Sequence, residues 1–163
     1  MRVVEVAVAL PVSGPFTSQV PASLVTGDHT VVLNPAAADV DVAAFEQAVA
    51  WETPAALERA AALYRGDLLE GLGVTSPPFE EWLLTERERL RELALEALAR
   101  LLAHYRQHGR ADEAVRTTLR LLSLDPLQEP VHRTLMHLYA GQGRRGSALR
   151  QYQTCVEVLQ REL

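Results

Sequence analysis

From about residue 41 onward, apolar residues recur three and four positions apart, the period of a helix with one buried face. The pattern predicts helices over residues 42 to about 51 and 54 to about 65. Thr53 is placed to cap the second, and Pro54 to take its first helical position. That second helix should bury Leu57, Ala60, Ala61 and Tyr64 and stop at Gly66. After a loop through Gly71, Gly73 and Pro77-Pro78, a long helix is predicted from about 79 to 107. Its apolar stripe is Trp82, Leu90, Leu93, Ala97, Leu98, Leu101, Leu102 and Tyr105, and Glu86/Arg89, Glu88/Arg91 and Glu96/Arg100 pairs decorate its solvated side. Three more helices are predicted: 111–124, stopped by Asp125-Pro126; 130 to about 142; and 145 to the C-terminus. Residues 1–38 differ in kind. Short β-branched runs at 3–8, 24–25 and 30–33, broken by Pro11, Gly14, Pro15 and Pro21, predict one strand and a hairpin turning on Gly27-Asp28. Such a segment is too small to fold alone.

Sliding the chain over itself by 34 positions superposes Leu101 on Leu135, Tyr105 on Tyr139, Gly109 on Gly143, Arg110 on Arg144, Ala114 on Ala148 and Arg116 on Arg150. Leu102/Met136, Leu122/Val156 and Leu124/Val158 keep apolar character in the same register. A 34-residue unit of helix, glycine-containing turn and helix is the period of a tetratricopeptide array. Each position has a physical task. Gly109 and Gly143 can take the left-handed backbone that ends a helix, Ala114 and Ala148 let paired helices approach closely, Tyr105 and Tyr139 fill the space between them, and Pro126 stops the second helix of the first unit. The expected fold is therefore all-α, a tetratricopeptide-like array over 39–163 preceded by the short β strand and hairpin segment over 1–38. On this register both alanines sit at close helix contacts, and enlarging either to leucine should cost about 1–3 kcal/mol.

Composition narrows the function. The net charge of −5 divides unevenly: residues 1–80 hold 3 Arg against 10 acidic residues, and residues 81–163 hold 13 Arg against 11. Neither part has the basic excess of a module that neutralises many phosphates by itself. All 16 basic residues are Arg, which reads as coding bias. Cys155 is the single cysteine, so an intrachain disulfide and a cysteine-based zinc site are excluded, and a reducing cytoplasm is the expected location. Glu5 interrupts the apolar start too early for a signal peptide, and no stretch approaches the roughly 20 apolar residues of a membrane span.

The segments 63–72 (LYRGDLLEGL), 81–93 (EWLLTERERLREL), 122–126 (LSLDP) and 143–152 (GRRGSALRQY) together resemble the bacterial transcriptional activator domain of SARP-class regulators. Residues 39–45 (DVDVAAF) resemble its usual opening, so the likeness covers about 39–163. It implies a regulatory helical domain that works beside a winged-helix DNA-binding domain. Here about 36 residues precede the domain. Residues 24–34 resemble the last hairpin of a winged helix with no recognition helix before it, so the chain is expected to be a fragment or a paralogue without its reader.

Catalytic and metal chemistry find little footing. His104 and His108 lie four apart, but the intervening residues are Tyr-Arg-Gln, without the glutamate and third ligand of a zincin. His132 and His137 are five apart, on different helix faces, and Asp67 and Glu70 suit turn capping. No phosphate loop or nucleophile elbow is present. No catalytic, metal or cofactor residue is expected. The expected partner is protein: a second copy in a homodimer, a neighbouring domain of the same regulator, or the transcription machinery, with DNA reached only through a separate reader and no membrane involved. Candidate interface residues are Trp82, Arg87 and Arg91 on the long helix and Arg150 and Tyr152 on the last, which no later helix covers. Two other readings are a tetratricopeptide adaptor unconnected with transcription and a sensor whose helical groove holds a small effector.

Overall fold

Helix formation in the second part of the chain is set by local signals at the helix ends. Thr53 takes extended backbone and its hydroxyl accepts from the Ala56 N–H at 3.2 Å, with Pro54 in the first helical position. Prolines likewise sit in the first turns of the third and fifth helices, where a missing N–H costs nothing. The computed structural model describes residues 24–26, 31–33, 41–73 and 76–162. By its contacts the chain divides into two units, Met1–Asp41 and Val42–Leu163.

In the first unit, β1 (Leu24–Thr26) pairs antiparallel with β2 (Val31–Leu33), Leu24 opposite Leu33 and Thr26 opposite Val31. The strand expected at 3–8 and the turn at 27–29 lie outside the described residues.

The second unit is all-helical: α1 (Asp41–Ala50), α2 (Pro54–Leu63), α3 (Pro77–Gln107), α4 (Ala111–Leu124), α5 (Glu129–Gly141) and α6 (Arg145–Glu162). Neighbours in sequence pack on one another from α2 through α6. The principal core gathers Phe45, Ala48 and Val49 of α1, Leu57 and Ala60 of α2, Tyr64, the inner face of α3 from Leu90 to Tyr105, and Ala114 and Leu121 of α4. The Phe45 and Tyr64 rings lie 5.7 Å apart. Burying each large apolar side chain of this kind stabilises the fold by about 1.5–3 kcal/mol. A smaller cluster of Val115, Leu135 and Tyr139, with Leu122, Leu138 and Ala148 against it, joins α4, α5 and α6.

Two details of the sequence reading change. Gly66 does not end α2: the helix stops at Leu63, the Tyr64 N–H still bonds the Ala60 carbonyl, and Tyr64 then turns extended to send its ring into the core. The left-handed residues of the following loop are Leu69 (φ 52) and Gly71 (φ 81). On α3, Leu83 is buried and Trp82 only half-buried. Steps of seven and eight residues to Leu90 both fit a helical stripe, and the pattern cannot choose between neighbours.

Candidate interaction surfaces

The repeat corner is built twice from the same parts. At the end of α3, Gly109 (φ 68) gives its N–H to the Arg106 carbonyl, and the Arg110 N–H reaches back to the Tyr105 carbonyl at 2.9 Å. At the end of α5, Gly143 (φ 73) bonds Ala140, and the Arg144 N–H reaches Tyr139 at 2.8 Å. These paired bonds satisfy the last carbonyls of each helix in the Schellman arrangement. Each corner also stacks its arginine on its tyrosine, with the Arg110 guanidinium 4.6 Å from the Tyr105 ring centre and the Arg144 guanidinium 4.5 Å from that of Tyr139. The tyrosine–arginine coincidence stood in the 34-residue register, but its cation–π meaning emerges only from the geometry.

The corners are not identical. The Tyr105 hydroxyl donates to the Glu58 carboxylate at 2.6 Å, tying α3 to α2. Burial, then that carboxylate, pushes the Tyr105 phenol up to about 12. Ala114 is fully buried just after the first corner, whereas Ala148 is half-buried after the second. Pro126 is exposed after α4, and its carbonyl accepts from the His132 Nε2 at 2.8 Å.

Several arginines hold helix ends and loops. Arg87 donates to the carbonyls of Leu68 (2.8 Å) and Leu69 (3.1 Å), fixing the loop in which Leu69 adopts its left-handed backbone. Arg91 gives two bonds to the Leu124 carbonyl, at 2.6 and 3.2 Å, closing the C-terminus of α4, and Arg120 of α4 donates to the Tyr64 carbonyl just past α2. A cation at a helix C-terminus meets both unsatisfied carbonyls and the negative end of the dipole. Arg87 and Arg91, singled out in the sequence for partner contact, thus have intramolecular tasks. Arg150 is exposed, and its guanidinium donates to the Ser147 hydroxyl at 3.2 Å.

Among the described residues, exposed apolar side chains gather on two faces in particular. One lies at the start of α3, where Leu72, Gly73, Phe79, Leu83 and Leu84 line a cavity of about 410 Å³ with Glu80 and Arg87 at its edge. Leu84 is 66% exposed there, and Trp82 stacks beside Phe79 with ring centres 5.5 Å apart. The other is the outer face of α6, where Leu149 is 67% and Tyr152 58% exposed. Of the residues lining these faces, the sequence reading had picked Trp82, Arg87 and Tyr152. Leu72, Phe79, Leu84 and Leu149 were not among them, because an exposed apolar side chain carries the same pattern signal as a buried one.

Two of the histidines, His108 and His132, have partners inside the fold. His108 stacks on His104, ring centres 4.1 Å apart, and its Nδ1 lies 2.8 Å from the His104 carbonyl. His132 is buried; its Nε2 faces the Pro126 carbonyl, so its Nδ1 accepts from the Gln151 amide at 2.6 Å. Burial raises the Cys155 thiol above its ordinary range, which disfavours the reactive thiolate. Among the described residues, no three His, Cys, Asp or Glu side chains group to hold a metal ion, and no helix is long and apolar enough to cross a membrane.

Comparison with known proteins places this architecture. The family described as "Bacterial transcriptional activator domain" matches residues 36–163, which take in all six helices. No curated protein matches the chain. Among solved structures, one of a MamA mutant is similar, with 22% identity, coverage of 73% of this chain and 97% of that one, and a TM-score of 0.37.

Proposed function

The chain belongs to the bacterial transcriptional activator domain family, and from that premise we propose that it is the regulatory, protein-binding part of a SARP-class transcriptional regulator and not an enzyme. The observation that carries this reading is the coincidence of the family match, from residue 36, with a helical array whose tyrosine–glycine–arginine corners recur 34 residues apart. A repeat array offers extended surface to partners and contacts itself only through neighbours. The acidic net charge argues that DNA is reached through a separate reader. The partner is a second copy, a neighbouring domain or the transcription machinery, met in the cytoplasm.

The test is to fuse the full chain to an unrelated DNA-binding domain and measure a reporter carrying that domain's site. Transcription should rise several-fold, and a reporter left at baseline breaks the proposal. The unfused chain should show no sequence-specific duplex binding at physiological salt. The cavity at the start of α3 favours a second reading, a small apolar effector that modulates the same output, since its volume falls within the range of small-molecule sites.

A further inference from the structure

The first repeat corner carries a histidine pair that its construction does not require. Shifted by 34 residues, His104 and His108 fall on Leu138 and Gln142. With those residues instead, the second corner forms the same glycine turn, the same returning arginine N–H and the same stack of guanidinium on tyrosine. On α3 the two histidines lie about one turn apart on a single face, their rings stacked with centres 4.1 Å apart and planes 33° from parallel. His108 is exposed and His104 half-buried, its ring beside that of Tyr105. The tautomer of His108 is fixed by its neighbour. Its Nδ1 lies 2.8 Å from the His104 carbonyl oxygen, which can only accept, so Nδ1 carries the proton and Nε2 keeps the free lone pair. A ring N–H given to a backbone carbonyl, with the other nitrogen left open, is how proteins orient an imidazole toward a metal ion.

We propose that His104 and His108 form a two-imidazole chelate for a divalent late transition-metal ion, Cu²⁺, Ni²⁺ or Zn²⁺, with water completing its coordination. The absent glutamate and third ligand exclude a zincin, but a chelate asks only for two donors on one helix face. An ion bonded to two imidazoles at about 2.0–2.1 Å holds the two nitrogens about 3 Å apart, a spacing within reach of rings whose centres already lie 4.1 Å apart. The pair sits at the C-terminal end of α3, where the negative end of the helix dipole favours a cation. The flanking arginines are occupied: Arg100 by Glu52 at 2.6 Å and Glu96 at 2.7 Å, Arg110 by Glu113 at 2.9 Å. Imidazole nitrogen selects late transition-metal ions over Mg²⁺, which takes oxygen, and ranks Cu²⁺ above Ni²⁺. Because the folded helix sets both ligands, the ion stabilises the folded chain and ties the last turn of α3 to its corner.

The probes are the chlorides of copper, nickel and magnesium, each titrated calorimetrically into the full chain freed of any affinity tag. Saturable, stoichiometric binding of Ni²⁺ is expected, tighter for Cu²⁺ and absent for Mg²⁺, with a rise in Tm at saturating ion. His104→Gln and His108→Gln should each weaken Ni²⁺ binding about tenfold or more, because a lone imidazole remains. His137→Gln removes an exposed imidazole elsewhere and should leave the affinity unchanged. Circular dichroism and Tm without metal should stay close to the parent's in all three variants. The electron paramagnetic resonance spectrum of the copper-loaded parent needs no substitution, and should show two coordinated imidazole nitrogens. A flat titration, parental affinity in either His104→Gln or His108→Gln, a loss caused by His137→Gln, or a copper spectrum with a single nitrogen overturns the proposal.

Discussion

The two helical repeats start from nearly the same instructions and end in different environments. Their corners agree down to individual bonds: glycine at positive φ, an arginine N–H returning to a tyrosine carbonyl, and the guanidinium laid on the same tyrosine ring. Their second helices do not agree. α4 lies between α3 and α5 and buries five residues, whereas α6 packs on α5 and buries only Cys155. Corner geometry is local, written by residues within one turn of each other, so equal sequence gives equal structure. Burial belongs to the neighbourhood, and the same alanine position is core in one repeat and margin in the next.

The largest expected effect tests where the repeats are equivalent. Leu101 is 3% exposed and Leu135 is fully buried. Leu101→Ala and Leu135→Ala should each cost about 2–5 kcal/mol, through lost transfer energy and the cavity left behind. Thermal unfolding should show two drops in Tm of similar size, about 5 °C or more for a chain of this length. A negligible drop in either would break the equivalence of the first helices.

The next effect tests where they differ. Ala114→Leu adds bulk at a fully buried position between α3 and α4, and should cost about 1–3 kcal/mol by overpacking. Ala148 is only half-buried, so Ala148→Leu should cost less than about 1 kcal/mol, and the equal penalties expected from the register become unequal. Matching losses in a chemical denaturation series would mean that the far side of α6 is covered in solution.

Glycine should restore the symmetry. A Cβ at Gly109 or Gly143 would meet no atom within 4 Å, so the penalty of Gly109→Ala or Gly143→Ala is purely that of left-handed backbone, about 1 kcal/mol at each. Unequal shifts in the denaturation midpoint would show that one corner is held by more than its own turn.

These contrasts explain what the sequence disclosed. The helices, the Thr53 cap and the left-handed Gly109 and Gly143 follow from short-range chemistry and were legible. Gly66 misled because the end of α2 is decided by Tyr64, which leaves the helix to bury its ring, and by Arg120, which arrives from α4 to take the Tyr64 carbonyl. No residue near Gly66 announces a partner 56 positions away. The tasks of Arg87 and Arg91 were hidden for the same reason: an arginine on a helix face looks identical whether it meets a partner or a carbonyl such as that of Leu124. Of the open surfaces, Tyr152 was visible as the face of a last helix, and Leu149 became distinctive only beside the buried Val115.

The smallest effect isolates the one bond that separates the two corners on their tyrosine side. Tyr105→Phe removes the hydroxyl that donates to Glu58 and leaves the ring beneath Arg110. Glu58 is exposed enough to be well solvated, so the loss below pH 10 should be about 1 kcal/mol or less. Its dependence on pH follows from the raised phenol. Burial and the Glu58 carboxylate raise the Tyr105 phenol from 10.0 to about 12 in the folded chain. A raised phenol keeps its proton in the folded state after the unfolded chain has released it, so its contribution is complete below pH 10 and is lost as the pH climbs through about 12. Wild type minus Tyr105→Phe stability should therefore be flat from neutrality to pH 10 and fall between pH 10 and 12. Tyr64, also raised by burial and Asp67, is common to both proteins and cancels in that difference. A difference that stays constant to pH 12 would mean that the hydroxyl is not held against Glu58, and that the two repeat corners are alike in their tyrosines as well as in their turns.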